Sequence, residues 1–143
     1  MTKMIFVNLP VADLSRSQSF YEAVGFTNNP QFSNDQASAM VWSETIHVML
    51  LTHDFWKTFT SKIIPDAATT AQVMLCLSLD SRDEIDKLVE TARAAGGKVD
   101  PTPTQDMAFM YGRSFEDPDG HIWEIMWMDA EAVGSADPSA APL

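Results

Sequence analysis

The chain has 143 residues, 45% of them hydrophobic, which suits one domain with a real core or two half-domains sharing one, and excludes a multidomain assembly. Nine Lys and Arg against twenty Asp and Glu give a formal charge of -11, so neither nucleic acid nor an anionic membrane surface is an expected partner; the charge either keeps a solvated acidic surface in solution or favours a cationic ligand. No run approaches the roughly 20 apolar residues that a membrane span needs, and the start MTKMIFVNLP lacks a basic leader followed by a long apolar stretch, so a cytoplasmic location is expected.

In chain order, residues 4–11 are a mostly apolar run of strand formers, and Asp13 follows as a helix N-cap. Leu14, Ser17, Phe20, Tyr21 and Val24 recur at helical spacing, and Gly25 stands where a left-handed C-cap belongs. Strands are expected over 26–32, 37–42 and 46–52, giving the order βαβββ. A linker over 53–71, part helical and punctuated by Pro65, leads to a second apolar strand over 72–79. That strand holds the single cysteine, Cys76, which has no partner for an internal disulfide and reads as a small buried hydrophobe in a reducing compartment.

Ser81 and Glu84 then form a capping box, Ile85, Leu88, Val89 and Ala92 mark an amphipathic helix, and Gly96 with Gly97 ends it. Strands over 98–103, 107–115 and 121–128, with Asp117-Pro118-Asp119-Gly120 as the turn before the last, complete a second βαβββ. A repeat of roughly 70 residues means two modules, 4–52 and 72–128, each with an apolar sheet face that needs a partner. The fold class is therefore α+β, with two tandem modules whose curved mixed sheet surrounds a shared cleft. The modules could pair within one chain or between two; a homodimer is the expected oligomer. After 128 the periodicity is lost, and residues 129–143 read as a flexible tail.

The string Val11-Ala12-Asp13-Leu14, with Ser17, Phe20-Tyr21 and Gly25-Phe26, resembles the opening of vicinal oxygen chelate domains. Phe115-Glu116-Asp117-Pro118-Asp119-Gly120-His121-Ile122-Trp123-Glu124 resembles their ending. This superfamily includes glyoxalase I, bleomycin-resistance proteins and extradiol dioxygenases, and the resemblance covers about residues 4–128. It implies a cleft in which metal-using relatives hold an ion with His, Gln or Glu from the first and last strand of each module. At those places this chain has Phe6, Leu50, Met74 and Glu124, of which only Glu124 is a plausible ligand for a hard or borderline ion. A catalytic divalent site needs three such ligands, so no cofactor is expected, with a divalent ion in an atypical site left open. His47 lies an odd number of residues from Leu50 and is expected on the opposite face; His53 follows its strand and His121 lies in the turn region.

With Glu124 inward, the period of two brings Met126 and Met128, Met4, Phe6 and Asn8, Met74, Cys76 and Ser78, and Val48, Leu50 and Thr52 to the cleft. Such a soft apolar wall either suits irregular or flat ligands or simply fills the space between the modules, since Met is also an ordinary gap-filler. Glu124 serves there either as a general base or as an anchor for an amine or hydroxyl, or is a structural carboxylate held by Asn8, Tyr111 or Arg113. Phe109, Tyr111 and Arg113 share a face; if it is the cleft they add a stacking surface and a cation, and otherwise Met110 and Ser114 line it. Trp42 borders the cleft, whereas Trp123 and Trp127 point to the helix side. Two functions follow. One is a module that binds a small aromatic or cationic molecule without metal, as bleomycin-resistance proteins do. The other is a glyoxalase- or dioxygenase-type enzyme using an atypical metal site or Glu124 as base.

Overall fold

The computed structural model describes residues 2–133. Module one consists of β1 (Ile5–Val11), α1 (Leu14–Ala23), β2 (Thr27–Asn29), β3 (Ala37–Val41) and β4 (Ile46–Thr52), with a single 3-10 turn at Pro30–Phe32. A one-turn helix α2 (His53–Trp56) opens the linker. Module two consists of β5 (Met74–Ser78), α3 (Arg82–Ala94), β6 (Lys98–Val99), β7 (Gln105–Met107), β8 (Met110–Glu116) and β9 (Ile122–Met128). The sheets have the same plan, β1-β4-β3-β2 and β5-β9-β8-β6, with β7 added as a hairpin partner of β8. In each, the first strand runs parallel to the last and the others are antiparallel.

Both long helices start and stop on the predicted devices. The Asp13 carboxylate accepts from Arg16 N, and Ser81 Oγ accepts from Glu84 N. Glu84 reaches back to Asp80 N at 2.9 Å, which closes the capping box one residue early. At the C-terminal ends Phe26 N bonds to Tyr21 O and Gly97 N to Ala92 O, with Gly25 and Gly96 at φ of +111° and +100°, a backbone that costs glycine nothing.

The strands deviate where proline or a polar residue interrupts them. The run 26–32 is a strand only as far as Asn29, because Pro30 donates no hydrogen bond and Asn29 caps the 3-10 turn instead. The run 98–103 ends after Val99: Asp100 takes φ of +55°, its carboxylate pairs with Arg113, and Pro101 and Pro103 follow. The chain re-enters the sheet as β7, so the expected strand 107–115 is divided by a turn at 108–109. Beyond Met128, Ala130–Val133 form one helical turn within the expected tail, while residues 134–143 lie outside the described residues.

One core serves both modules. Leu9, Val11, Phe20, Tyr21, Val48 and Leu50 pack with Leu77, Ile85, Val89, Phe115, Trp123 and Ile125 in a single buried cluster. Phe20 meets Phe115 at 5.8 Å between ring centroids, and Tyr21 meets Trp123 at 6.0 Å. The modules therefore pack through their helix-bearing faces, and the other face of each sheet opens away from the core. The two family-like strings meet in this junction. Ala12 N and Ser17 Oγ donate to the Asp119 carboxylate, Tyr21 Oη donates to Asp117 at 2.6 Å, and His121 Nε2 lies 2.8 Å from Pro10 O. Asp117 also accepts from the N–H groups of Asp119, Gly120 and His121. Burial pushes the Asp117 carboxyl up, against the opposing pull of His121, the Tyr21 bond and the His121 N–H. Burial, and then the Asp117 charge, raise the Tyr21 phenol well above its ordinary value, so it remains the donor.

Candidate functional site

Strand pairing fixes which side chains share the open faces. On module one, parallel β1 and β4 align Phe6 with His47, Asn8 with Met49 and Pro10 with Leu51. Phe6 is exposed and its ring stacks on His47, with centroids 4.6 Å apart and planes 15° from parallel. This corrects the expectation for β4. Val48 and Leu50 are fully buried on the helix side, and His47 lies on the open face. The physical reason is that β4 has apolar residues on both faces and its polar ones, His47 and Thr52, lie at opposite parities, so composition offers no parity to read and only the partner strand sets it. Phe6 and Met74 hold equivalent places, five residues before Val11 and Leu79, and they pair with His47 and Ile122. Met49 is thus module one's counterpart of Glu124.

On module two, β5 and β9 align Met74 with Ile122, Cys76 with Glu124 and Ser78 with Met126. Here the expected directions hold: Met74, Cys76, Glu124, Met126 and Met128 share the open face, and Trp123 and Ile125 are buried behind it. A recess of about 320 Å³ lies on this face, lined by Cys76, Gln105, Met110, Glu124, Met126 and Met128 together with the loop at Thr102 and Pro103. Among the described residues, every lining residue comes from module two. Cys76 is exposed, not the buried hydrophobe expected, because β5 turns it to the open side. Partial shielding from water raises its thiol pKa and the Glu124 carboxylate raises it further, so the thiol stays protonated and a poor nucleophile.

Tyr111 and Arg113 direct their polar ends to the other side of β8, although Arg113 is also among the residues that line the recess. Tyr111 Oη donates to Asp86 at 2.6 Å, and Arg113 binds Asp86 at 3.0 Å and Asp100 at 2.8 Å, tying the sheet to α3. Their hydrogen bonds hold Asp86, chiefly through Tyr111, and Asp100, chiefly through Arg113, below the usual carboxylate range. Arg82 covers the rings of Tyr111 and Trp127 at 5.1 and 5.4 Å. The second alternative for β8 therefore applies: Met110 lines the recess, while Ser114 is buried and bonded by Thr102. Phe109 is in the β7–β8 turn, where its carbonyl accepts from Asp129 N. Trp42 packs on Phe26, 5.1 Å between centroids, and on Gly25 at the end of α1, so it belongs to the helix side and does not border the open face.

With Tyr111 and Arg113 committed elsewhere, Glu124 has no hydrogen-bond or ion-pair partner among the described residues. The structural alternative of a carboxylate held by Asn8, Tyr111 or Arg113 is thereby removed. The donors around Glu124 do not fit a divalent ion: beside one carboxylate stand the neutral Gln105 amide and Thr102 hydroxyl, a protonated thiol and thioethers, and no group of three or more His, Cys, Asp or Glu converges among the described residues. The open face of module two can instead receive an apolar or cationic group, with soft methionine contacts and one free negative charge.

Sequence reasoning missed His47 and Met49 on the open face of module one, and also Trp56 and His121 at the junction. The apolar doublet Leu50-Leu51 hid the parity of β4, and no motif marks the linker. Among the described residues no helix is long and apolar enough to cross a membrane.

No curated protein matches the chain. Among solved structures, a hypothetical protein from S. aureus is 27% identical, with a TM-score of 0.75 over 89% of this chain and 95% of that one. The fosfomycin resistance protein FosX from Mesorhizobium loti has a TM-score of 0.63 at 15% identity, covering 94% of this chain and 97% of that one. TnmS3, an antibiotic binding protein from Streptomyces sp. CB03234, has a TM-score of 0.63 at 18% identity, covering 90% and 97%. The model of the Glyoxalase/Bleomycin resistance protein/Dioxygenase superfamily matches residues 3–125, and the chain belongs to that family.

Proposed function

We propose that this protein binds a small aromatic or cationic molecule on the open face of module two, without a resident metal, in the manner of a sequestering protein. The observation that carries the reading is Glu124, a half-buried carboxylate with no partner among the described residues, set between Met110, Met126 and Met128 in a recess of about 320 Å³. A carboxylate in apolar surroundings gains from a ligand cation that supplies the missing charge-assisted bond. The net charge of -11 draws cations towards it. A fosfomycin resistance protein and an antibiotic binding protein among the fold's neighbours agree with a small-molecule role.

The same proposal includes a homodimer. Met4, Phe6, Met74 and Met128 are between 41% and 56% exposed, a large apolar area for a monomer. A two-fold pairing that lays module one of one copy over module two of the other covers both faces and brings the Phe6–His47 stack over Glu124.

Titration with proflavine, a planar aromatic cation, tests the reading. Saturable binding is expected, weakened about tenfold or more in Glu124→Gln through loss of the charge-assisted bond. Equal affinity of the two proteins overturns it. Sedimentation at the same concentrations is expected to report a dimer.

A further inference from the structure

A second recess, of about 350 Å³, lies where β1, the linker and the start of β9 meet, away from Glu124. Its walls include Asn8, Pro10, Trp56, Gln72, His121 and Ile122. In a chain that is 20% charged, no Asp, Glu, Lys or Arg among the described residues lines it. Asn8, expected beside Glu124, lines this recess instead.

The Thr70 hydroxyl in these walls is bonded to Asp66 O, but several other polar groups are unspent. Among the described residues the side-chain amides of Asn8 and Gln72 and the indole N–H of Trp56 have no protein hydrogen-bond partner, and the only bond of the His121 ring is that of Nε2 to Pro10 O at 2.8 Å. That bond requires a proton on Nε2, so in the neutral ring Nδ1 keeps its lone pair. Strand β1 pairs on one side only, with β4, and Val7 to Pro10 along it line the recess. A concave apolar surface with a few unpaired polar groups at its edges is the usual constitution of a small-molecule site.

The walls are also fixed in advance. A Cβ on Gly120 would come within 2.5 Å of Ala67 O and 2.9 Å of Ala68 Cα, so linker and turn are in direct backbone contact. The linker's own turn is closed by Thr69 N and Thr70 N on Asp66 O, and by Ala68 N on the Asp66 carboxylate. A ligand entering here does not have to order the strap first, which lowers the cost of binding.

We propose that this junction recess is a second ligand site and that it takes an uncharged planar aromatic amide or lactam. The ring lies against Trp56, Pro10 and Ile122, and the carbonyl and N–H exchange hydrogen bonds with the amides of Asn8 and Gln72. The absence of any charged wall separates it from the Glu124 face, which favours a cation; the two sites are independent in chemistry and in position.

Calorimetric titration with 2-quinolinone, a neutral planar lactam, is the test. One-to-one binding is expected for the native chain and for Glu124→Gln alike. Gln72→Ala is expected to weaken it about tenfold by removing one amide. Ala71→Trp, at an exposed lining position where the fold is not at risk, fills the recess and is expected to abolish it. The proposal is overturned by no saturation up to about 1 mM lactam, by binding that survives Ala71→Trp, or by binding that is lost in Glu124→Gln. Proflavine binding by Ala71→Trp is expected to be unchanged, so this site can fail while the Glu124 face stands, and the reverse.

Discussion

The two modules share their scaffolding and differ on their open faces. Each has an N-capped helix closed by a glycine C-cap, and each pairs its first strand with its last in parallel. On module one the open face carries Phe6 stacked on His47 beside Asn8 and Met49; on module two the corresponding strands carry Met74, Cys76, Glu124 and Met126. The repeat therefore preserves what forms the elements and diversifies the open faces. The contrast extends to stability, since the helix-bearing faces hold the shared core and the open faces contribute little to it.

That contrast can be broken most forcefully from the core. Trp123 is 2% exposed, contacts Tyr21 and Phe26, and donates its N–H to Tyr21 at 2.9 Å. Trp123→Ala is expected to cost about 3–5 kcal/mol in urea unfolding, because it empties the seam between modules. A loss below about 1 kcal/mol would mean that the modules are stable separately.

Next in size, Asp117→Ala removes the acceptor of three backbone N–H groups and of the Tyr21 hydroxyl, with an expected loss of about 3 kcal/mol. If Tyr21→Phe costs as much, the hydroxyl alone is responsible and the turn is held by other means.

A smaller effect concerns acid. Asp86 and Asp100 are held below their ordinary range in the folded chain, so their contribution is present above the unfolded carboxylate range and is lost as pH falls through the folded values. Melting temperature is expected to fall with acid, and Arg113→Met, which removes the cation common to both, should flatten that slope. An unchanged slope would place the acid sensitivity elsewhere.

The smallest effect belongs to the open face. Glu124→Gln is expected to change stability by no more than about 0.5 kcal/mol, since the carboxylate has no partner to lose among the described residues. A marked loss would show Glu124 to be structural, and would count against the proposed binding role as well.

Both long helices, the repeat and the family were legible because their signals are local: a cap residue, a 3.6-residue period and a turn glycine act within a few residues of one another. The direction of β9 was legible too, since Glu124 breaks an otherwise apolar run and fixes its parity. Strand β4 carries polar residues at both parities, His47 and Thr52, so they fix none, and Leu50, expected in the cleft, is in the core while His47, expected outside it, is on the open face. The family strings carried a second lesson. Ser17, Tyr21, Asp117, Asp119 and His121 join the modules to each other, and only the end of the second string, Glu124, reaches the candidate site.

By itself the sequence determined the two long helices, the duplication and the chemistry of a face with a single carboxylate. Tertiary structure decided which way each side chain of an evenly apolar strand points, that the modules join through their helix-bearing faces, and that the linker encloses a recess of its own. The physical reason is that a strand's facing is a relation to its neighbours. Hydrophobic residues on both sides of β4 satisfy either parity, and only the pairing of Phe6 with His47 selects one.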